Sequence, residues 1–341
     1  MTRAKRTWIV MAAGVAVVVL GAALVLVLRP AASPSSPAGT SGPVASGRAA
    51  AVTAVPVTGR AGYSFGILGD PRDATFNRLT GISNRGHISG YFGSAAAGHP
   101  SQGFILRPPY AARMYQDIDF PHSAQTQLNG LNEQGIQVGS YSVGGGQAGF
   151  YLMNGHYSAV RFPTGDNASP PVNRLLGVNN SGIAVGFYTD AGGSHHGYRY
   201  NIATRQFSAV SVPGASSVTA AAISNTGSVA GFFTGPAGAT SGFLLLTSGQ
   251  LVTLTIPHAT MTEALGLNDS GEVVGTYRLG RGGMATRHGF TWTQQQGFTT
   301  VDDPDGRGTT TISGVSNAGE LVGSYLDRTG HTDGLLATPD H

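Results

Sequence analysis

Residues 177–188 read GVNNSGIAVGFY, and the same pattern returns five more times along the chain. GISNRGHISGYF begins at Gly81, GLNEQGIQVGSY at Gly130, AISNTGSVAGFF at Ala222, GLNDSGEVVGTY at Gly266 and GVSNAGELVGSY at Gly314. The starts lie 49, 47, 45, 44 and 48 residues apart, a period that marks repeated supersecondary units. A second mark follows each copy, a Gly with an apolar residue: Gly103-Phe104, Gly149-Phe150, Gly197-Tyr198, Gly242-Phe243, Gly289-Phe290 and Gly334-Leu335. A third, apolar-x-x-Pro, closes the first five copies at Pro121, Pro163, Pro213, Pro257 and Pro304. The sixth copy ends without one, but Leu68-Gly69-Asp70-Pro71 supplies it ahead of the first copy. A ring needs this arrangement if the first strand of the chain completes the last sheet, whereas an open stack needs capping units.

Within each copy the local chemistry reads as four short strands. A short apolar strand such as Leu79–Ser83 meets a turn such as Ser83-Asn84-Arg85-Gly86, where Asn favours an Asx turn and Gly accepts positive φ. The second strand alternates, as in Ile183-Ala184-Val185-Gly186-Phe187, and the third starts at the Gly-Phe mark. The fourth, like Tyr115–Phe120, is stopped by proline, which lacks the ladder donor. Four strands every 40–50 residues are the pattern of propeller blades. The expected fold is all-β: a six-bladed β-propeller of four-stranded blades over 63–341, its last blade closed by the N-terminal strand.

The repeat resembles the HAF repeat, an extracellular repeat of bacterial surface and secreted proteins. That family's Ile-Asn-x-x-Gly-x-x-Val-Gly core is matched by Leu267-Asn268-Asp269-Ser270-Gly271-Glu272-Val273-Val274-Gly275. Its His-small-Phe-Leu-Trp segment is matched by His288-Gly289-Phe290-Thr291-Trp292. The His recurs at His196, while Gln102, Ala148, Ser241 and Asp333 replace it elsewhere. The resemblance implies an extracytoplasmic repeat domain and brings no catalytic residues with it.

Ahead of the repeats, Trp8–Leu28 is an unbroken apolar run preceded by Arg3, Lys5 and Arg6. At about 1.5 Å per residue it spans roughly 31 Å as a helix, close to the hydrocarbon thickness of a bilayer. It exceeds the usual apolar core of a cleaved signal peptide and has no small-x-small site directly after it. The reading is a retained signal anchor at 8–28, with a basic flank at 1–7 held in the cytoplasm and the propeller outside the cell membrane. Between Pro30 and Arg60, 25 of 31 residues are Ala, Pro, Ser, Gly or Thr, so 29–62 reads as a solvated linker. The net charge of +3 comes from this N-terminal part: six basic residues and no acid lie in 1–62, which leaves 14 basic against 17 acidic residues beyond it. A nucleic-acid footprint is therefore unsupported. With no cysteine, disulfides, thiolate metal sites and thiol nucleophiles are excluded.

With the fourth strand outermost, the 4-to-1 connections and the 2–3 loops share one face, and the tight Asn/Gly turns share the other. The first face carries the long, variable loops, at 93–102, 163–173, 189–196, 278–288 and 304–310, where binding functions concentrate. The residue three before each leading position is expected at the channel mouth there: Arg78, Gln127, Arg174, Thr219, Glu263 and Thr311. Arg287 and His288 come from a Gly-rich, Arg-rich loop on the same face, of a kind that suits an anionic glycan or phosphate. The candidate ligand-binding residues are Arg78, Gln127, Arg174, Glu263, Arg287 and His288. No metal is expected, since His195 and His196 are adjacent on a strand and point to opposite faces, and Asp302–Gly306 lacks the distal Glu of a calcium loop. No cofactor is expected, and no Gly-x-Ser-x-Gly elbow, phosphate loop or His-Glu-x-x-His helix is present. The function these features favour is a non-catalytic module, anchored in the membrane by its N-terminal helix, that binds a glycan or protein. Two alternatives stay open: a polysaccharide hydrolase or lyase acting at the channel mouth, and a structural surface spacer.

Overall fold

The computed structural model describes residues 62–163, 167–306 and 308–340. The expected cytoplasmic flank, signal anchor and nearly all of the linker lie outside the described residues. Among those residues no helix is long and apolar enough to cross a membrane. Apart from two single-turn helices, Ala112–Met114 and Gly282–Met284, every regular element described is a strand.

The strands form six four-stranded antiparallel units in a propeller-like, all-β arrangement. Unit one is Asn77–Ile82, Ile88–Phe92, Gln102–Leu106 and Tyr115–Asp117. The first strands of the next four begin at Thr126, Asn167, Ser217 and Met261. Unit six supplies Thr311–Val315, Leu321–Leu326 and Thr332–Pro339, and its fourth strand is Tyr63–Ile67 from the start of the described chain. That strand pairs in register from Tyr63 against Pro339 to Ile67 against Leu335. The amide of Leu68 then donates to the carbonyl of Gly334 at 2.9 Å, as the amide of Ile118 donates to Gly103 in unit one. The displaced Leu-x-x-Pro mark thus occupies the fourth-strand position of unit six.

The repeated residues account for the packing. A Cβ added at the Gly of the second strand (Gly90, Gly139, Gly231 or Gly275) would lie 2.6–2.9 Å from the ring of Phe104, Phe150, Phe243 or Phe290. Those four rings are fully buried, each worth roughly 2–3 kcal/mol of transfer energy. At the leading Gly of the first strand, backbones of neighbouring units meet. A Cβ on Gly314 would be 2.9 Å from the Cα of Gly81 in unit one, and one on Gly266 3.0 Å from the Cα of Gly314. Glycine is required there by close approach.

Asn and its neighbours in the turns connect the units in a circuit. The amide of Asn84 donates to the carboxylate of Glu133, Glu133 to Asn180, Asn180 to Asn225 and Asn225 to Asp269. Asp269 donates to Asn317, and Asn317 donates to Asn84 at 2.7 Å, so unit six returns to unit one. On the outside, the guanidinium of Arg72 binds buried Asp70 and also Asp117, on the outer strand of unit one. It lies 4.6 Å over the Phe92 ring as well.

Candidate functional site

All six first strands carry a bulge at the same place, between Leu79 and Gly81 in unit one and at the equivalent pairs in the other five. A bulge re-aims a side chain and strengthens local twist. The bulged residues, Thr80, Asn129, Leu176, Ala221, Leu265 and Ser313, all line one cavity of about 600 Å³ on the channel axis. They make a floor that is polar in units six, one and two and apolar in units three to five. The sequence reading passed over this ring. Its signal was the residue directly before each leading position, which a strict alternation places on the same face as the residue three before it.

Four of the six positions expected at the mouth line the same cavity: Arg78, Arg174, Glu263 and Thr311. Arg287 joins them, from the start of the third strand of unit five (Thr286–Thr293), paired with Arg278, and not from the 2–3 loop where the spacing had put it. Gln127 does not; it is buried with its amide 3.5 Å from the Ser101 hydroxyl. Thr219 is also buried, and its hydroxyl is 2.9 Å from Nδ1 of His195. His288 is held between Asp302 at Nδ1 and the Thr286 hydroxyl at Nε2, at 2.7 and 2.8 Å, and is not a lining residue. Asp302 also accepts from the Gly289 amide, as Asp119 does from Gly103 in unit one. This His therefore braces the start of a third strand.

The adjacent histidines diverge. His195 stacks on Phe187 at 4.0 Å and lines the cavity, whereas His196 pairs with Asp190 at 2.7 Å. His122 and His258 occupy left-handed turn positions after units one and four, with φ of 60° and 63°, where unit three has Gly214.

The electrostatics of the cavity are uneven. Arg78, Arg174 and Arg287 line it, and Glu263 is the one carboxylate among its described lining residues. None of the four is in an ion pair within 4 Å among the described residues. Burial pushes the Glu263 carboxyl up to about 7, against the pull of Arg287 and Arg278. Burial lowers the Arg287 guanidinium, with Glu263 opposing and Arg78 and Arg278 adding to the shift. Burial, helped by the charge of Arg174, brings His195 down to about 4, so it is neutral at pH 7. Arg174 donates through Nε to Gln147 at 2.6 Å, and Arg78 lies over the Phe76 ring.

Three buried polar atoms here have no hydrogen-bond partner among the described residues: Arg78 Nε, Tyr91 Oη and Glu263 Oε2. Each belongs to a residue lining the cavity. Buried polar atoms are ordinarily paired, because leaving one unpaired costs about 1–3 kcal/mol. No group of three or more His, Asp or Glu that could hold a metal ion occurs among the described residues.

No family model matches the chain, so the HAF-repeat resemblance rests on its residues alone, and no curated protein matches it either. Among solved structures, a putative TolB from Agrobacterium tumefaciens is similar at 11% identity and a TM-score of 0.54, covering 83% of this chain and 100% of that one. TolB from Acinetobacter baumannii gives 10% identity and a TM-score of 0.48, covering 75% of this chain and 64% of that one. A PL25 polysaccharide lyase, an ulvan lyase, gives 12% and 0.43, over 77% and 78%. At 11% identity the likeness to the Agrobacterium structure speaks for the fold, a β-propeller, and for nothing further.

Proposed function

We propose that this protein is a membrane-anchored, extracytoplasmic six-bladed propeller that binds a ligand in the axial cavity and performs no chemistry on it. One observation carries the reading: Arg78 Nε, Tyr91 Oη and Glu263 Oε2 all belong to the lining of one cavity and lack partners among the described residues. A cavity of about 600 Å³ lies within the range of small-molecule sites. Arg78, Arg174, Glu263 and Arg287 are the binding residues of this proposal, while Gln127 and His288 serve the scaffold. The anchor at 8–28 follows from its apolar length and basic flank.

A polysaccharide hydrolase or lyase remains the second reading because Glu263 titrates near 7, where general acid–base catalysis is efficient. Glycoside hydrolysis ordinarily needs two carboxylates, and Glu263 is alone among the described lining residues. The geometry thus favours binding over that form of turnover. The full chain, in an uncharged detergent, is to be applied to an array of glycans and cell-wall fragments, with mass spectrometry of the eluates. Retention without new products, lost in the Arg78→Ala variant, is the expected result. New products would establish turnover in its place. Absence of both would leave the spacer reading.

A further inference from the structure

We infer that the ligand is an acidic carbohydrate, whose anionic group meets Arg78 and Arg287 and whose hydroxyls meet Glu263 and Tyr91. This deepens the binding reading and rests on it.

The cavity lining carries three guanidiniums and one carboxylate among its described residues, without an ion pair within 4 Å to neutralise any of them. Like charges crowd together: Arg287 is close enough to Arg78 and Arg278 for each to disfavour its protonated form. An arrangement of this kind is costly when empty and is relieved by an anion, which guanidiniums bind in fork geometry.

A bare anion does not complete the site. Glu263 Oε2 has no hydrogen-bond partner among the described residues; when ionised it calls for a donor, which sulfate lacks and phosphate offers only through a P–OH. The occupant must carry hydroxyl donors beside its negative charge. Tyr91 Oη, also unpartnered, both donates and accepts and suits a second hydroxyl. An ammonium group would satisfy Glu263 too, but the surplus of guanidiniums repels it. Further hydroxyl partners stand around the wall at Thr80, Thr189, Thr234 and Ser217. Negative charge and many hydroxyls on one molecule describe a uronate-containing or sulfated sugar.

The test is calorimetric titration of the full chain in an uncharged polyoxyethylene detergent. The probes are trigalacturonate, a hyaluronate tetrasaccharide and galactose 6-sulfate, each beside its neutral counterpart (methyl ester or desulfated sugar), with inorganic phosphate and glycine as simple controls. At least one acidic sugar should bind tenfold or more tightly than its neutral partner, with affinity falling as sodium chloride rises from about 50 to 500 mM. Arg78→Ala and Arg287→Ala should each weaken it tenfold or more, with melting temperature unchanged. Which acid binds, uronate or sulfate ester, identifies the anionic group, and either supports the inference. Equal binding of the neutral partner would overturn the acidic assignment and leave the binding reading intact. Competition by phosphate or glycine at the affinity of the sugar would overturn the carbohydrate assignment. Silence from every acidic sugar would overturn the inference, while the array described above judges the binding reading separately. The salt dependence needs no variant, so it stands even if a substitution impairs folding.

Discussion

The two ends of the axial channel are made from the same six strands and turn out opposite in character. At the turn end, Asn84, Glu133, Asn180, Asn225, Asp269 and Asn317 pass hydrogen bonds from unit to unit until the circuit closes. At the loop end, the equivalent positions hold an unlike set, Arg78, Arg174, Glu263 and Thr311 among them, with polar atoms left unpartnered. The first end spends its hydrogen bonds on closing the ring, and the second holds them in reserve. Within a repeat, then, a residue shared by most copies marks scaffold, and a position that differs from copy to copy marks where a ligand is to be met.

If closure supports both ends, breaking it should remove both together. Deleting residues 62–76 takes away the fourth strand of unit six, including Tyr63 and Phe65, which pack on the core beneath them, and Leu68 of the adjoining cluster. The Arg72 bridge to Asp117 goes with it. At about 1.5–3 kcal/mol for each large apolar side chain, the loss is roughly 5 kcal/mol or more, comparable with the whole stability of many domains. Thermal unfolding followed by circular dichroism should show a collapse of the transition. A deleted chain that melts like the parent would refute closure by this segment.

The next largest effect belongs to the loop end alone. Glu263 titrates at about 7 in the fold against an ordinary 4.5, so between those values the folded state holds more protons than the unfolded one. Stability must therefore fall as pH rises through that window and level off above it. The shift corresponds to something on the order of 3 kcal/mol. Glu263→Gln, which keeps the shape and discards the titration, should be more stable than the parent at pH 8 and nearly equal to it below pH 4.5. Melting temperatures across pH 4–9 check this, and parallel curves for the two proteins would refute the burial of an ionising Glu263.

A smaller pair of substitutions sharpens the contrast. Asn225 accepts from the Asn180 amide and donates to Asp269, so Asn225→Ala should cost about 1 kcal/mol and leave cavity binding untouched. Arg287→Ala should do the reverse, weakening binding tenfold or more while leaving stability unchanged, because the repulsion of Arg78 and Arg278 that it relieves offsets the attraction to Glu263 that it removes. Chemical denaturation together with titration separates the outcomes. The two sites share no partner, so their stability effects should add.

The two ends were not equally readable in the sequence. Turn chemistry is local, so Asn84-Arg85-Gly86 and its five relatives announce the circuit end without a structure. Close approach is readable as well, since five of the six copies lead with Gly where backbones of neighbouring units touch, and the fourth leads with the small Ala222. The displaced Leu68–Pro71 mark found its place in unit six for the same reason: a missing strand must come from somewhere. The cavity depends on side-chain direction, which spacing fixes only in part. Arg78, Arg174 and Glu263 follow strand alternation into the channel. Gln127 has the same spacing and is drawn to Ser101 instead, and His288 is captured by Thr286, two residues before it on the same strand, and by Asp302, which only the pairing of the third and fourth strands brings near. The ring at Thr80 and its equivalents was legible from the same alternation, two residues beyond each mouth position, whereas the bulge that re-aims it has no signature of its own in these strands.

The smallest effect tests whether a single departure within the circuit has a role of its own. Asp269 stands where four other units have Asn. Its carboxylate accepts from the amide and the side chain of Asn225 and from the side chain of Asn317. Burial works to raise its pKa, but the donors from Asn317 and Asn225 prevail and hold it below the ordinary carboxylate range. A depressed pKa adds stability that is present above the ordinary value and lost as pH falls through the folded one. Asp269→Asn keeps one acceptor and sets a new NH₂ against two donor NH₂ groups, so at pH 7 it should cost about 0.5 kcal/mol, near the low end for a net hydrogen bond. At pH 3 and below the parent loses its advantage and the two melting temperatures should converge. A difference that persists unchanged into acid would mean that Asp269 acts through shape and packing, and that Glu133, which accepts from Asn84 and pairs with Arg85, is the member of the circuit that works through charge.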